Sequence, residues 1–198
     1  MTNVGLRRMM LRGKTETGVD LNAPSDLRAI YMAASGRGEK LPVSFVVGSH
    51  PIDHVAATMK ESGDELRMTA ALRGAPLPVV KCVTNDIYVP ADAEIIIEGY
   101  LDEKGYVEKE GPFGEYLGYY GGVKMNPVFH LTAITRRRDA LFQNFQELIH
   151  ISAVLLNNRR EFGTLRDAHA HAFHDDINHL RLAALVAHTP VNLQRLRA

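Results

Sequence analysis

Short runs rich in β-branched residues, separated by proline, glycine and asparagine, constrain the fold of this chain more than any other feature. The run at 93–101, AEIIIEGYL, places Ile95, Ile97 and Gly99 on one face and the intervening residues on the other. Comparable runs occupy 41–48, 77–84, 86–90 and 126–137. Their composition and bounding turn residues predict strands.

Helical patterns lie between these runs without the regular strand–helix alternation of a parallel sheet. Residues 25–34 show helical spacing of apolar side chains, with Ser25 or Asp26 in position to cap the helix. Two shorter helices are predicted at 54–60 and 65–72. The mixture predicts an α+β fold in which the sheet curls toward a barrel.

The composition is that of an ordinary globular protein and disfavours several classes. Lysine plus arginine and aspartate plus glutamate each total 23, so the formal net charge is zero, unlike that of a nucleic-acid-coating protein. No apolar run approaches the ~20 residues of a membrane helix. Cys82, the single cysteine, has no partner for an internal disulfide. These features predict a cytoplasmic protein.

Beyond about residue 146 the strand patterns give way to a segment rich in Leu, Ala, His and Arg. Pieces of helical spacing predict a helical tail over 146–198, distinct from a domain over 1–145. The bias is also typical of a shifted reading frame in a GC-rich gene, which is the alternative to a genuine segment. The histidines within 167–176 fit either a metal-binding helix face or a solvated one.

The stretch EGPFGEYLGYYGG, residues 110–122, places Glu110 and Glu115 on either side of a Gly-Pro-Phe-Gly turn. Such a turn can direct both carboxyl groups toward one pocket, where neighbouring aromatic rings raise the pKa of a carboxylic acid. Two acids with different pKa values can serve as general acid and general base. The spacing alone equally fits a solvated hairpin loop, or the acid/nucleophile pair of a glycosidase-like hydrolase.

Longer phrases around this turn resemble those of the UbiD-type decarboxylases, enzymes that use prenylated flavin mononucleotide (prenylated FMN). The matching phrases are VPADAEIIIEG, EGPFGE, GYY and PVFHLTAIT, at 89–99, 110–115, 118–120 and 127–135. Upstream, Asn3 and Arg8 fit the family's N-x-x-x-x-R element on a strand. The basic first residues also fit a mitochondrial presequence, but cleavage would then remove Asn3 and Arg8. The resemblance implies an FMN-binding split β-barrel of the flavin-reductase type.

The resemblance implies reversible, non-oxidative decarboxylation of an aromatic or α,β-unsaturated carboxylic acid. The family's Glu-Arg-Glu catalytic trio falls on Arg8, Glu110 and Glu115. Arg8 is expected to bind the substrate carboxylate or to hold a charged Glu110 through a two-pronged bond. A neutral Glu115 is expected to donate the proton that replaces CO2.

The resemblance also implies a divalent cation, Mn²⁺ or Mg²⁺, that holds the cofactor phosphate, with a K⁺ ion nearby. The family's metal ligands are Asn, His and Glu, of which Asn3 and Glu65 match the first and last. By register the histidine position falls on Asp26, giving three oxygen donors; helix capping is the alternative role for Asp26. Met59 lies where the family's chain passes the flavin, and joins Asn3, Arg8 and Glu65 as an expected cofactor-binding residue.

Family members are typically more than twice as long as this chain and have a large C-terminal domain that mediates oligomerisation. The resemblance therefore implies a homo-oligomer for the full-length family, and a flavin prenyltransferase that supplies the cofactor. It also predicts an unpaired sheet edge here, since neighbouring strands of the barrel are missing. A non-catalytic flavin-binding fragment is the remaining alternative to an active carboxy-lyase.

Overall fold

The computed structural model of the chain describes residues 3–10, 12–59, 63–114, 119–142 and 181–188. Strands and helices are mixed in these ranges, which confirms the predicted α and β content. The helices are α1 (Asp26–Gly36), α2 (Pro51–Ala56) and α3 (Glu65–Arg73). The strands are β1 (Asn3–Met10), β2 (Glu16–Gly18), β3 (Leu41–Val47), β4 (Val79–Lys81), β5 (Tyr88–Pro90), β6 (Ile95–Leu101), β7 (Glu108–Glu110), β8 (Lys124–Asn126), β9 (Val128–Arg136) and β10 (Arg181–His188). In the described ranges no helix is long and apolar enough to cross a membrane.

The helix starts follow local capping chemistry. Ser25 is the N-cap of α1, and its hydroxyl oxygen accepts a hydrogen bond from the Arg28 amide at 3.2 Å. Asp26 lies in the first turn rather than at the cap. Helix α2 begins three residues before the prediction, because Pro51 suits a first helical position and the His50 ring accepts from the Ile52 amide.

Six strands form one antiparallel sheet in the order β1-β10-β3-β6-β9-β2, and two hairpins, β4-β5 and β7-β8, stand beside it. The centre is the β3-β6-β9 meander, in which the register shifts between Glu98 and Gly99. A Cβ atom on Gly99 would lie 2.0 Å from the carbonyl oxygen of His130. Glycine therefore lets β6 and β9 approach at the bulge.

Residues 181–188 form strand β10, so the prediction of a helical tail is wrong for this segment. Its sequence, RLAALVAH, is a short apolar run whose spacing fits a buried strand as well as a helix. β10 pairs with β1 along eight residues, from Asn3 opposite His188 to Met10 opposite Arg181, and also pairs with β3. The ladders on both sides stabilise a strand here rather than a helix. The predicted unpaired edge of the sheet stays a prediction. The histidines of 167–176 lie outside the described residues.

The six-stranded sheet is open, since no ladder joins its edge strands β1 and β2 within the described ranges. The chain nevertheless runs almost directly from β1 into β2, and the Asp20 amide donates to the Arg8 carbonyl at 3.1 Å. Strand β1 therefore lies close to the chain just beyond β2. Within the described ranges the sheets do not close into a barrel, so the curl of the sheet and the split β-barrel stay predictions.

Two hydrophobic clusters anchor the strand that carries Arg8. The first joins α1 to the sheet, where the rings of Phe45 and Phe129 meet edge to face at 4.8 Å. The second surrounds Ile87. Met9 is buried in the first cluster and Val4 in the second, so β1 is packed near both of its ends.

Candidate active site

Strand β1 and the turn that follows β7 meet although more than 100 residues separate them. The Arg8 Nη1 donates to the Gly114 carbonyl oxygen at 3.4 Å, and the guanidinium carbon lies 4.8 Å from the centre of the Phe113 ring. The Arg8 side chain is 34% exposed, so it is only partly buried at this contact. Gly114 directly precedes Glu115, which lies outside the described residues.

Glu110 is fully buried against β1. Its Oε1 accepts from the Met10 amide at 2.7 Å, and its Oε2 accepts from the Asn126 side-chain amide at 2.7 Å. Burial raises the pKa of Glu110, while the two hydrogen bonds and the charge of Arg12 act in the opposite direction. The site therefore holds a carboxyl group whose proton binds more tightly than in water.

Arg8 forms its ion pair with Asp20, at 3.1 Å between Nη2 and Oδ2. The direct two-pronged bond between Arg8 and Glu110, expected from the sequence, is absent among the described residues. The physical reason is that Arg8 and Met10 lie two positions apart on β1, and the Met10 amide takes the Glu110 oxygen. Both groups remain at one place, but each has its own partner.

Glycines give Glu110 its space and shape the turn. A Cβ on Gly18 would lie 2.8 Å from the Glu110 Oε2, so only glycine leaves room for the carboxyl group at this point of β2. Gly111 has φ +103°, a conformation that favours glycine, and its amide donates to the Met10 sulfur at 3.2 Å. The Gly111–Pro112 peptide is cis.

Glu65 lies at the first turn of α3 and is 4% exposed. Its Oε2 accepts from the Val4 amide, which places the carboxyl group beside the Asn3 backbone at the start of β1. Burial raises the pKa of Glu65, and the charges of Asp26 and Asp64 raise it further.

Two of the three predicted metal-binding residues, Asp26 and Glu65, therefore interact electrostatically. The third, Asn3, directly precedes Val4, whose amide donates to Glu65. A carboxyl group whose pKa is raised by a neighbouring carboxylate fits a hard divalent cation, which would offset the repulsion between the two. The described residues contain no group of three or more His, Cys, Asp or Glu side chains arranged to hold a metal. The predicted set instead combines Glu65 and Asp26 with the amide of Asn3. Since Ser25 caps α1, Asp26 is not needed for that role.

Two other residues lie near this region. Met59, just after α2, is 45% exposed, and its backbone amide bonds to Ala56. Arg7, on the opposite side of β1 from Arg8, interacts electrostatically with Asp20 and Glu65, and burial lowers the pKa of its guanidinium. Arg7 thus favours the charged form of Glu65.

Sequence reasoning missed Gly18, Asp20, Asn22 and Asn126, which surround Arg8 and Glu110. A signal existed for Gly18, because a glycine within a strand pattern marks a close backbone approach. Asn126 immediately precedes the matched PVFHLTAIT phrase but lies outside it. Nothing in local spacing relates Asp20 or Asn22 to residues about a hundred positions away.

Residues 1–147 match the family described as "UbiD: 3-octaprenyl-4-hydroxybenzoate carboxy-lyase Rift-related domain". Among curated proteins, the anhydromevalonate phosphate decarboxylase of Methanosarcina mazei is 40% identical over 141 residues. The aligned region covers 71% of this chain and 33% of that relative. The chain therefore spans about a third of the length of this relative.

Solved structures of similar fold are UbiD-class enzymes. The enzyme HmfF from Pelotomaculum thermopropionicum in complex with FMN shares 33% identity and a TM-score of 0.63, over 71% of this chain and 35% of that one. An evolved dimeric form of HmfF with prFMN shares 31% identity and a TM-score of 0.66, over 79% and 42%. The vanillic acid decarboxylase of Sedimentibacter hydroxybenzoicus in open form shares 25% identity and a TM-score of 0.65, over 74% and 35%. Sequence phrases, family match and fold agree, and the chain belongs to the UbiD family.

Proposed function

We propose that this chain is the cofactor-binding and catalytic segment of a prenylated-FMN-dependent carboxy-lyase. The observation that carries the proposal is the docking of β1 on the 110–114 turn, which brings Arg8 and Glu110 of the family's catalytic trio to one place. Membership in the family supports a decarboxylase, and the solved HmfF structures contain FMN or prFMN. The substrate class we propose is an aromatic or α,β-unsaturated carboxylic acid, with reversible, non-oxidative loss of CO2.

In this proposal Arg8 binds the substrate carboxylate. Its side chain is partly exposed, and its guanidinium pairs with Asp20 and lies over the Phe113 ring. A planar guanidinium held in this way can offer two parallel N–H donors to a carboxylate. Bound prenylated FMN supplies the electron sink for the electrons left when CO2 departs.

The proton that replaces CO2 comes from a carboxyl group near the turn. Glu115 is the proposed donor, and it follows the residue whose carbonyl accepts from Arg8. Glu110 is the proposed second acid, since its raised pKa favours the protonated form more than in water. Two acids close to one guanidinium allow a proton to be held and delivered without bulk water.

The cofactor phosphate is proposed to be held through Mn²⁺ or Mg²⁺ by Asn3, Asp26 and Glu65, with K⁺ nearby and Met59 beside the flavin. The electrostatic interaction of Asp26 with Glu65 supports the metal set. We also propose closure of the split barrel and homo-oligomerisation in the full-length family, a flavin prenyltransferase as cofactor supplier, and a cytoplasmic location.

A second candidate is a flavin-binding segment without activity of its own. It is favoured by length, since the aligned region covers 33% of the Methanosarcina mazei relative and 35% of HmfF. The parts of those relatives that this chain does not span can carry groups that turnover requires. No observation favours the glycosidase-like alternative, because the named relatives are decarboxylases.

Co-expression with a flavin prenyltransferase tests the proposal. The purified chain is examined by visible spectroscopy and then supplied with Mn²⁺ and a panel of aromatic and unsaturated acids. We expect flavin absorbance together with CO2 release. Arg8→Ala should abolish CO2 release, and Glu110→Gln should lower it by at least about a hundredfold.

The matched control is Glu39→Gln, because Glu39 is exposed and paired only with its neighbour Arg37 among described contacts. This variant should behave as the wild type does. Absorbance without CO2 release supports the second candidate. A chain that acquires neither flavin nor activity contradicts both.

A further inference from the structure

We propose that Asp20, Asn22 and Asn126 are positioning residues that join Arg8 to Glu110 through a closed ring of hydrogen bonds. The role of this ring in catalysis rests on the function proposed above, whereas the existence of the ring does not. Arg8 and Glu110 are the two catalytic groups within the described residues, and no direct bond joins them. Polar side chains that link Arg8 to Glu110 therefore provide the path by which a change at one group can alter the hydrogen bonds of the other.

The first half of the ring runs from Arg8 to Asn22. Arg8 Nη2 donates to Asp20 Oδ2 at 3.1 Å, and the Asp20 amide donates back to the Arg8 carbonyl at 3.1 Å. The other carboxylate oxygen of Asp20 accepts from the Asn22 amide at 3.3 Å and from its side-chain amide at 3.4 Å. The Asp20 side chain is 11% exposed, so these bonds are largely shielded from water.

The second half runs from Asn22 back to β1. The Asn22 side-chain amide donates to the Asn126 side-chain oxygen, and the Asn126 amide donates to Glu110 Oε2 at 2.7 Å. Glu110 Oε1 accepts from the Met10 amide, two residues from Arg8 on the same strand. Asn126 and Glu110 are both fully buried. The ring therefore closes on β1.

Asn126 passes donation from Asn22 on to Glu110, whereas Asn22 donates in both directions. Asn126 presents its NH2 to Glu110 and its oxygen to Asn22, and Asn22 presents its NH2 to both neighbours. This arrangement suits an ionised Glu110, which only accepts. When Glu110 takes up a proton on Oε2, that oxygen becomes a poorer acceptor for the Asn126 amide, and the bond between Asn126 and Asn22 weakens with it. The protonation state of Glu110 is thereby linked, through the ring, to the hydrogen bond that orients the Arg8 side chain.

Charged groups inside and outside the ring act on Glu110 or its neighbours. Arg12 favours the charged form of Glu110 and pairs with Glu108 at 3.1 Å, while Asp20 disfavours it. Asn22 is uncharged, so Asn22→Ala tests hydrogen bonding without altering these charges, whereas Asn126→Asp adds one. None of the ring residues belongs to the proposed metal-binding set.

The test is a carboxyl 13C NMR titration of the full chain without cofactor, labelled at glutamate and assigned with Glu110→Gln. In Asn22→Ala, the middle link is lost at a partly exposed position, and Glu110 should titrate about half a pH unit higher. In Asn126→Asp, a like charge replaces the donor, and the rise should exceed about one unit. The control is Asn85→Asp, at a partly buried asparagine that bonds to Ser44 and Ile87; it should leave Glu110 unchanged.

Circular dichroism and thermal unfolding show whether each variant is folded. If Asn126→Asp does not fold, Asn22→Ala still decides. A Glu110 titration in folded Asn22→Ala that coincides with wild type would overturn the ring. Because the titration needs neither flavin nor substrate, a failed decarboxylation assay and a failed ring are separate results.

Discussion

At the scale of single residues, burial and hydrogen bonding have opposite effects on the pKa of Glu110. It has no solvent exposure, and no lysine or arginine within the described chain forms an ion pair with it. Two hydrogen-bond donors favour its charged form, but the desolvation of a buried carboxylate is larger. A group kept in this state at the cost of stability is typical of a functional site.

We expect the stability of Glu110→Gln relative to wild type to increase as pH rises from 4 to 8. The pKa of Glu110 is raised in the folded protein, so its stabilising contribution is complete below the unfolded pKa of about 4.3 and is lost as pH rises through the folded pKa. Glutamine does not titrate. Urea unfolding at a series of pH values measures the difference, at about 1.4 kcal/mol for each unit by which the pKa is raised.

The pKa of Glu65 is raised as well. Because Glu65 is present in both the variant and the wild type, its contribution cancels from the difference in stability. A difference between variant and wild type that stays constant with pH contradicts the raised pKa of Glu110.

Gly99 shows how one missing side chain sets the packing of two strands. We expect Gly99→Ala to destabilise the fold by about 3 kcal/mol, because its Cβ would lie 2.0 Å from the His130 oxygen and 2.5 Å from the Phe129 ring. Denaturant unfolding measures the loss. The control is Gly36→Ala, where the added Cβ would meet nothing within 4 Å beyond its chain neighbours and its own helix backbone. This variant should be more stable than wild type, by less than about 1 kcal/mol. Equal effects of the two substitutions contradict the close approach.

At the scale of elements, β1 depends on β10. In the sheet order β1 has β10 as its only ladder partner among the described strands, and β10 has β3 on its other side. The strand that carries Arg8 and begins at Asn3 is therefore joined to the central meander through a segment near the end of the chain. Side-chain packing and the bonds to Glu65 and Glu110 supplement this ladder.

We expect Ala184→Pro to expose β1. Ala184 stands opposite Arg7 in the ladder, and its strand has a neighbour on each side, so a proline removes a backbone donor from one ladder or the other. The expected loss is about 3 kcal/mol, with faster hydrogen exchange of the β1 amides. Ala184→Gly keeps the amide and serves as the control. Unchanged protection of β1 in the proline variant would show that β10 does not hold it.

At the scale of the whole molecule, apolar side chains remain exposed on the β4-β5 hairpin. Val83 is 75% exposed, and its neighbours on the hairpin are also accessible: Val79, Val80 and Tyr88. Contiguous exposed apolar surface promotes association. The chain spans about a third of its Methanosarcina mazei relative.

We expect the purified chain to associate as its concentration rises, and Val83→Lys to weaken this association at least severalfold without loss of folding. Sedimentation velocity over a range of concentrations measures it. Thr15→Lys adds the same charge at an exposed position on the link between β1 and β2 and should leave association unchanged. Equal effects of both variants would assign the result to net charge rather than to the hairpin.

Elements with strong local patterns were predictable, because their periodicity is written within a few residues. Helix α1 with its Ser25 cap, strand β3 and strand β6 lie within about two residues of the predicted bounds. The run at 181–188 was predicted wrongly, since a short run with six consecutive apolar residues suits either a helix or a strand until pairing with neighbouring strands decides. The long matching phrases predicted the family and its decarboxylase relatives, which the comparisons confirm.

The sequence by itself determined which segments prefer strands or helices and, through its matching phrases, which family the chain joins; the resemblance also led us to expect Arg8 near Glu110. Only the tertiary structure decided that Arg8 pairs with Asp20, that Asn126 and Met10 hold Glu110, and that β10 lies between β1 and β3. The reason is physical. Backbone preference depends on neighbours along the chain, whereas the partner of a buried charge depends on which donors the folded sheet brings within about 3 Å.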